Sequence, residues 1–344
     1  MSTGFLTQAL PLIAAPMAGG ATTVELVRAA SGVGAFAFLA AGYKTPEVLA
    51  AEIAAARELS ETAPAGFGVN LFVPSADKVD GAAFAAYARE LAGEAALYDT
   101  ELSDVPRDDT DFWDEKVSLL CADPVPVVSL TFGLPAPSDI VRIQRAGSAV
   151  LATVTSADEA RAAAEHGVDG LIVQGPGAGG HSAVWDATQT VADAPTLEVL
   201  RAVRAITDLP LVAAGGVDGP ESVREFIHGG AQSVAVGTLL LLTEEAGTSS
   251  THRGALSSGA FTETVLTRVF TGRPARGLRN GFVERHAAHE ITAYPAVHHL
   301  TRELRGKALA AGDTDRAHLW AGTGFRRARA EPAATTIERL TRKL

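Results

Sequence analysis

The sequence predicts an α/β chain built on one TIM (β/α)8 barrel, with a helical insertion at about residues 75–122 and a C-terminal helical extension. Three observations predict it. Apolar runs of strand length alternate with amphipathic helical stretches over the first 245 or so of 344 residues, the order expected of βαβ units in a parallel sheet. There are eight such runs, at 12–17, 35–40, 66–72, 125–132, 149–155, 170–174, 210–215 and 233–240. They are continuously apolar rather than alternating, so both faces are expected to be buried, one in the barrel and one under the helices.

Helix-start signals between the runs support the alternation independently of hydrophobicity. Thr22 with Glu25, and Ser156 with Glu159, have capping-box spacing, and Thr45-Pro46 sets a cap before an N1 proline. An open doubly wound sheet would need a G-x-G-x-x-G loop after its first strand. The segment there reads Ala15-Pro16-Met17-Ala18-Gly19-Gly20, and no acidic residue ends the second run. Residues 1–245 are therefore expected to form the barrel, including the insertion, and 246–344 an extension; both additions are expected to be mainly helical and to pack over the catalytic face.

Composition narrows the function classes. Apolar residues make up 47% and charged residues 20% of the chain, as in folded soluble domains. The formal charge of -11 opposes attraction to nucleic acid or anionic membranes. The single cysteine, Cys121, allows no internal disulfide and has no neighbouring base in sequence, so it is expected to be structural. The apolar stretch 10–21 lacks a preceding positive charge and is broken by Pro11, Pro16 and Gly19; it reads as strand and loop, with a cytoplasmic location expected. Nothing is long and apolar enough to read as a membrane span, and oligomeric state is open between monomer and homodimer.

The segment Gln174-Gly175-Pro176-Gly177-Ala178-Gly179-Gly180-His181 follows the sixth strand and carries most of the chemistry. Glycine permits positive φ and close backbone approach, so the loop could aim amides at a planar ring or an anion. His181 at its end offers either a neutral imidazole to take a proton or an imidazolium to stabilise an anion. Ala213-Ala214-Gly215-Gly216-Val217 and Val236-Gly237-Thr238 end strands seven and eight, where barrels bind phosphate through backbone N–H groups. Asn70, polar at the end of an apolar strand, would bond either backbone or a ligand's polar edge. No metal set is readable: His298-His299 are adjacent, would point to different sides of a helix, and read as a solvated segment.

With APMAGG at 15–20, GVNLF at 68–72, SLTFG at 129–133, QGPGAGGH at 174–181, AAGGV at 213–217, GT at 237–238 and FTGRPARGLRN at 270–280, the chain resembles the nitronate monooxygenase family, formerly 2-nitropropane dioxygenases. The resemblance implies FMN held non-covalently in a TIM barrel, and oxidation of alkyl nitronates by O2 to a carbonyl compound and nitrite. It implies that Asn70, Gln174, Gly179, Gly216, Ala235, Val236, Gly237 and Thr238 hold FMN, with Ala15, Met17, Gly180 and Gly215 beside them, and that His181 is catalytic. The chain departs from the family pattern at Gly177, usually Glu, at Ala183, usually Gly, and at Ala235, commonly Gln. Related barrels sharing the glycine-histidine loop include NAD(P)H-dependent quinone reductases and flavin enoyl reductases, so NAD(P)H-dependent reduction of quinones or enoyl thioesters is the alternative. A non-catalytic barrel binding a phosphorylated metabolite is a third class. Arg268, Arg273, Arg276 and Arg279 form a basic cluster in sequence, suited either to nucleotide phosphates or to tying the extension to an acidic barrel.

Overall fold

The computed structural model describes residues 8–60, 66–75, 79–342 and 344, so 1–7 and 61–65 of the expected barrel, 76–78 of the expected insertion and 343 of the expected extension lie outside the described residues. Strands β1 (Leu12–Ala14), β2 (Phe36–Ala40), β3 (Phe67–Phe72), β4 (Val127–Thr131), β5 (Ala149–Val154) and β6 (Gly170–Gln174) run parallel in chain order. A two-residue strand, β7 (Gly180–His181), leaves the barrel, and β8 (Leu211–Ala214) and β9 (Ser233–Val236) complete it. Leu12 pairs with Val234, which closes the ring of eight.

The apolar runs serve two cores. Ile13, Phe36, Phe38, Val127, Leu151, Ile172, Val212 and Ala235 cluster inside the barrel, while Leu12, Leu39, Val69, Leu71, Val128 and Leu130 pack outward against the helices. Gly68 makes room for Phe38: a Cβ there would lie 2.6 Å from both the Phe38 ring and the Val127 carbonyl. Five of the eight predicted runs overshoot at their C-terminal ends, while those ending at 40, 72 and 174 match, and 238–240 is a 3-10 turn rather than strand. Those residues leave the ladder to form the turns over the barrel mouth.

Helices α1 (Val24–Gly32) and α2 (Pro46–Ser60) lie between the first strands, α3 (Gly81–Glu90), α4 (Ala92–Ala96) and α5 (Trp113–Ala122) between β3 and β4, and α6 (Pro137–Ala146) and α7 (Ala157–Glu165) after β4 and β5. Helices α8 (Thr196–Arg204) and α9 (Pro220–His228) flank β8. Two expected caps form, from Ser156 to the Glu159 amide at 3.2 Å and from Thr45 ahead of Pro46. At α1 the cap is Thr23, which accepts from Leu26 N at 3.0 Å; Thr22 turns back to accept from Met17 N and so braces the loop after β1.

Beyond β9 come α10 (Ser250–Ser257), β10 (Thr264–Thr267), β11 (Ala275–Leu278), α11 (Gly281–His286), α12 (Ala296–Ala310) and α13 (Ala333–Thr341). Two expectations are corrected. The insertion does not all cover the catalytic face, because α5 packs between α2 and α6 as the third helix of the ring. The extension is mainly helical, as expected, but is not wholly a cover: β10 and β11 form a hairpin that adds β7 as its third strand, and α13 packs between α9 and α1 as the eighth ring helix. The ring needs an apolar helix in each gap, and the chain's last helix fills the one left after β9, burying Ala333, Ile337 and Leu340.

The remaining additions share a second core, in which Phe84, Tyr87 and Leu91 of the insertion meet Phe270, Phe282, Val297 and Leu304 of the extension. A buried carboxylate locks them together. Glu94 on α4 accepts from Arg285 Nε at 2.6 Å and Arg316 Nε at 2.5 Å, and those guanidinium groups hold its carboxyl below the usual range. Cys121 is a free thiol on α5. Among the described residues no helix is long and apolar enough to cross a membrane.

Candidate active site

Every residue expected from the sequence to hold the cofactor or to be catalytic lines one cavity of about 340 Å³ at the C-terminal ends of the strands, a volume in the range of small-molecule sites. His181 is placed in it by pairing rather than by a free loop. As part of β7 it is opposite Ala275 of β11, with Gly180 opposite Arg276. Its Nε2 lies 2.9 Å from the Thr271 hydroxyl, which is also 3.3 Å from the Arg273 carbonyl. A hydroxyl has one proton; satisfying both contacts sends it to the carbonyl, so Nε2–H of His181 donates and Nδ1 keeps its lone pair. The ring is enclosed by Phe132, Tyr294 and Trp320, with centroids 5.5–5.7 Å away. Burial, reinforced by Arg273 and Arg305, pushes its pKa down to about 3, which makes the imidazole neutral and decides between the two forms left open by sequence.

Gln174 at the other end of the loop acts on its neighbours. Its carboxamide accepts from Ala183 N at 2.8 Å and donates to the His181 carbonyl at 3.3 Å, clamping the backbone on both sides of the histidine. The glycines between them differ from expectation. Three are glycines because protein, not a ligand, occupies the space of a side chain. A Cβ at Gly175 would meet Thr196 Oγ1 at 2.0 Å, at Gly177 the Gly216 Cα at 2.9 Å, and at Gly179 the Gly322 amide nitrogen at 2.5 Å. Gly180 is the conformational case, with φ +74° and open space at its Cβ position. Gly177, where the family pattern has Glu, leaves no room for a side chain here, because Thr323 also stands 2.9 Å from its Cβ position.

The two turns read as phosphate sites lie against this loop. Gly215 and Gly216 both have positive φ, +93° and +78°, and a Cβ at Gly237 would sit 3.5 Å from Met17 Sδ and 3.6 Å from Ala15; these bare stretches follow the paired strands β8 and β9 and line the same cavity. Thr238 accepts from Gly322 N at 2.9 Å. Ala235 and Val236 end β9 at the cavity wall, and alanine at 235 leaves open the volume a glutamine would fill. Asn70 is oriented by the next strand, donating to the Ser129 and Thr131 hydroxyls at 2.9 Å each. Small residues, bare backbone and a buried carboxamide at the rim are features that fit a flat ring carrying a phosphate.

Sequence reasoning missed what the extension contributes. Arg305, His318, Trp320, Gly322 and Gly324 of the extension also line the cavity, as does Tyr43 from the turn after β2. The one signal was the Ala321-Gly322-Thr323-Gly324 stretch, a glycine-bearing turn in an Ala/Arg-rich tail. His298 is 6% exposed, stacks on Tyr43 with centroids 4.1 Å apart and faces the cavity, while His299 turns to Asp109 at 2.8 Å. The pair does diverge across the helix, but His298 is not solvated. The arginine cluster disperses in three dimensions. Arg268 bonds the Ala187 and Gln189 carbonyls, Arg276 the Pro176 carbonyl at 2.7 Å, Arg279 pairs with exposed Glu263, and Arg273 is buried over the Phe132 ring at 4.1 Å while donating to the Val184 carbonyl. Only Arg276 lies on β11, while Arg268 and Arg273 leave from the turn before it and Arg279 from the turn after it, so spacing in sequence did not make a patch.

A family profile described as nitronate monooxygenase matches residues 3–343. A protein named "probable nitronate monooxygenase" from Staphylococcus saprophyticus is 33% identical over 355 residues, covering 99% of this chain and 96% of its own. The crystal structure of a nitroalkane oxidase from Streptomyces ansochromogenes superposes with a TM-score of 0.93 at 42% identity, covering 100% of this chain and 98% of that one. FabK from Thermotoga maritima, at 22% identity and a TM-score of 0.75 over 99% of this chain and 94% of its own, shares the fold.

Proposed function

Since the chain belongs to the nitronate monooxygenase family and is an oxidoreductase, we propose that it uses FMN to oxidise small alkyl nitronates with O2 to a carbonyl compound and nitrite. The observation that carries the reading is that His181, fixed by Thr271 and the Gln174 clamp, lines one cavity with the bare turns at the ends of β8 and β9.

In this reading the amides of the turns at Gly215, Gly216, Gly237 and Thr238 hold the FMN phosphate, and Asn70 and Gln174 present carboxamides to the ring edge. Gly179, Gly180, Ala15, Met17, Ala235 and Val236 shape the slot. Bound there, FMN supplies the electron transfer between substrate and O2. A nitronate is already deprotonated, so His181 need not act as a base on it; its neutral ring positions the reacting carbon without adding charge. Against a neutral nitroalkane, the Nδ1 lone pair is the group able to take a proton.

The test is direct. The purified protein should show a flavin spectrum, and adding a nitronate should consume O2 and release nitrite. A holoenzyme that releases no nitrite, but whose flavin is bleached anaerobically by NADH or NADPH, would instead be a reductase of quinones or enoyl thioesters.

A further inference from the structure

Resting on the reading that the substrate is an oxyanion, we propose that Arg305 binds the substrate's negative charge and selects nitronates over neutral nitro compounds. The cavity is anomalous for this chain. The whole sequence holds 40 Asp and Glu against 29 Lys and Arg, yet among the described residues no carboxylate lines the cavity, and Arg305 does. Arg305, on α12, is 4% exposed. Its Nε donates to Thr301 Oγ1 at 2.9 Å and one terminal nitrogen, Nη2, to the His298 carbonyl at 3.1 Å. Among the described residues the other terminal nitrogen makes no hydrogen bond and Arg305 makes no ion pair. A buried charge without a counter-charge is costly, and a guanidinium cannot shed it near neutral pH.

His298 adds a second donor. The guanidinium also lies 3.3 Å from His298 Nδ1; because it can only donate, Nδ1 must accept, and the imidazole proton sits on Nε2. That Nε2 is buried and has no partner among the described residues. Two N–H groups on neighbouring residues thus lack acceptors in a carboxylate-free cavity, and an oxyanion provides both. His181 is within reach of the same field, since Arg305 is one cause of its neutral state. The labour is divided: Arg305 carries charge and His181 carries none. Arg273, the other buried guanidinium nearby, is already committed to the Val184 carbonyl and the Phe132 ring.

The experiment titrates nitrate, a planar oxyanion that is not turned over, into wild-type holoenzyme, R305K and R305Q by calorimetry, with FMN content and nitronate kinetics measured on the same samples. Wild type should bind nitrate. R305Q should weaken it about ten- to hundredfold, the loss expected for one charge-assisted hydrogen bond, and raise the nitronate KM by a similar factor with little change in kcat. R305K should fall between them. Unchanged nitrate affinity in R305Q overturns the proposal, as does loss of FMN with nitrate affinity retained, which would assign Arg305 to the cofactor's phosphate. If R305Q does not fold, R305K and wild type decide: no nitrate binding by wild type, or full affinity in R305K with an unchanged nitronate KM, overturns it. Arg305-dependent nitrate binding without nitronate turnover would uphold the anion site and sink the reaction; turnover with nitrate binding indifferent to Arg305 would do the reverse.

Discussion

His181 is held neutral by its surroundings, and two outcomes follow at the scale of the single residue. If it touches the substrate as proposed, His181→Ala should lower turnover of a neutral nitroalkane, from which Nδ1 would take a proton, by about 10²–10⁴-fold and turnover of a nitronate by less, while leaving the flavin spectrum in place; steady-state kinetics beside an absorption scan would show it. The second outcome concerns pH. An unperturbed histidine titrates near 6.5, but in the folded chain His181 is pushed down to about 3. Between those values the unfolded chain binds a proton that the folded one does not, so this residue's contribution is full above pH 6.5 and is lost as pH falls towards 3. The thermal midpoint should therefore drop between pH 7 and pH 4.5, and His181→Asn should drop less over the same interval. Equal slopes for the two proteins would disprove the assignment.

At the scale of the element, the glycine loop and segment 321–324 of the extension form one packed unit. Gly177 and Gly179 approach backbone that a side chain would displace: Thr323 N donates to the Gly177 carbonyl at 3.0 Å, and a Cβ at 179 would lie 2.7 Å from the Ala321 carbonyl carbon as well as 2.5 Å from Gly322 N. Gly179→Ala should cost about 1–3 kcal/mol by overpacking, seen as a lower urea midpoint, and should speed proteolysis near Gly322. Gly177→Glu, which restores the family residue, should do the same, because Gly216 and Thr323 fill its space. A Gly177→Glu protein with unchanged stability would show that the segment moves freely. The loop's existence and its histidine were legible in sequence. Its packing partner was not, because the contact joins residues about 140 positions apart by shape, with no complementary charge or motif to mark it.

For the whole molecule, closure of the ring depends on the end of the chain. Helix α13 buries Ile337 and Leu340 fully between α9 and α1. Truncation after residue 330 should expose the apolar faces of both neighbours and abolish the cooperative thermal transition, and Leu340→Ala alone should cost about 2–5 kcal/mol. A truncated chain that melts like the intact one would refute this. The Glu94 network ties the insertion to the extension in the same way; Glu94→Ala leaves Arg285 and Arg316, which are partly exposed, without their buried carboxylate and should loosen the cover over the cavity before the barrel itself unfolds, a separation that hydrogen exchange can resolve.

The sequence by itself determined the barrel and the strand-end candidates, because both rest on local pattern: apolar runs at strand length, caps at helix starts, and glycines at the turns after β6, β8 and β9. Asn70 could be found because a polar residue in an apolar strand is visible one residue at a time, and His181 because it closes a glycine-rich loop. Only the tertiary structure decided the charge of the site. Arg305, His298 and Tyr43 come from an α-helix near the end of the chain and a turn near its beginning, and nothing in their local sequence says that they share a cavity without a carboxylate. Burial and the distances between distant segments set the protonation of His181 and leave the guanidinium of Arg305 without a counter-charge, and neither quantity exists until the chain has closed.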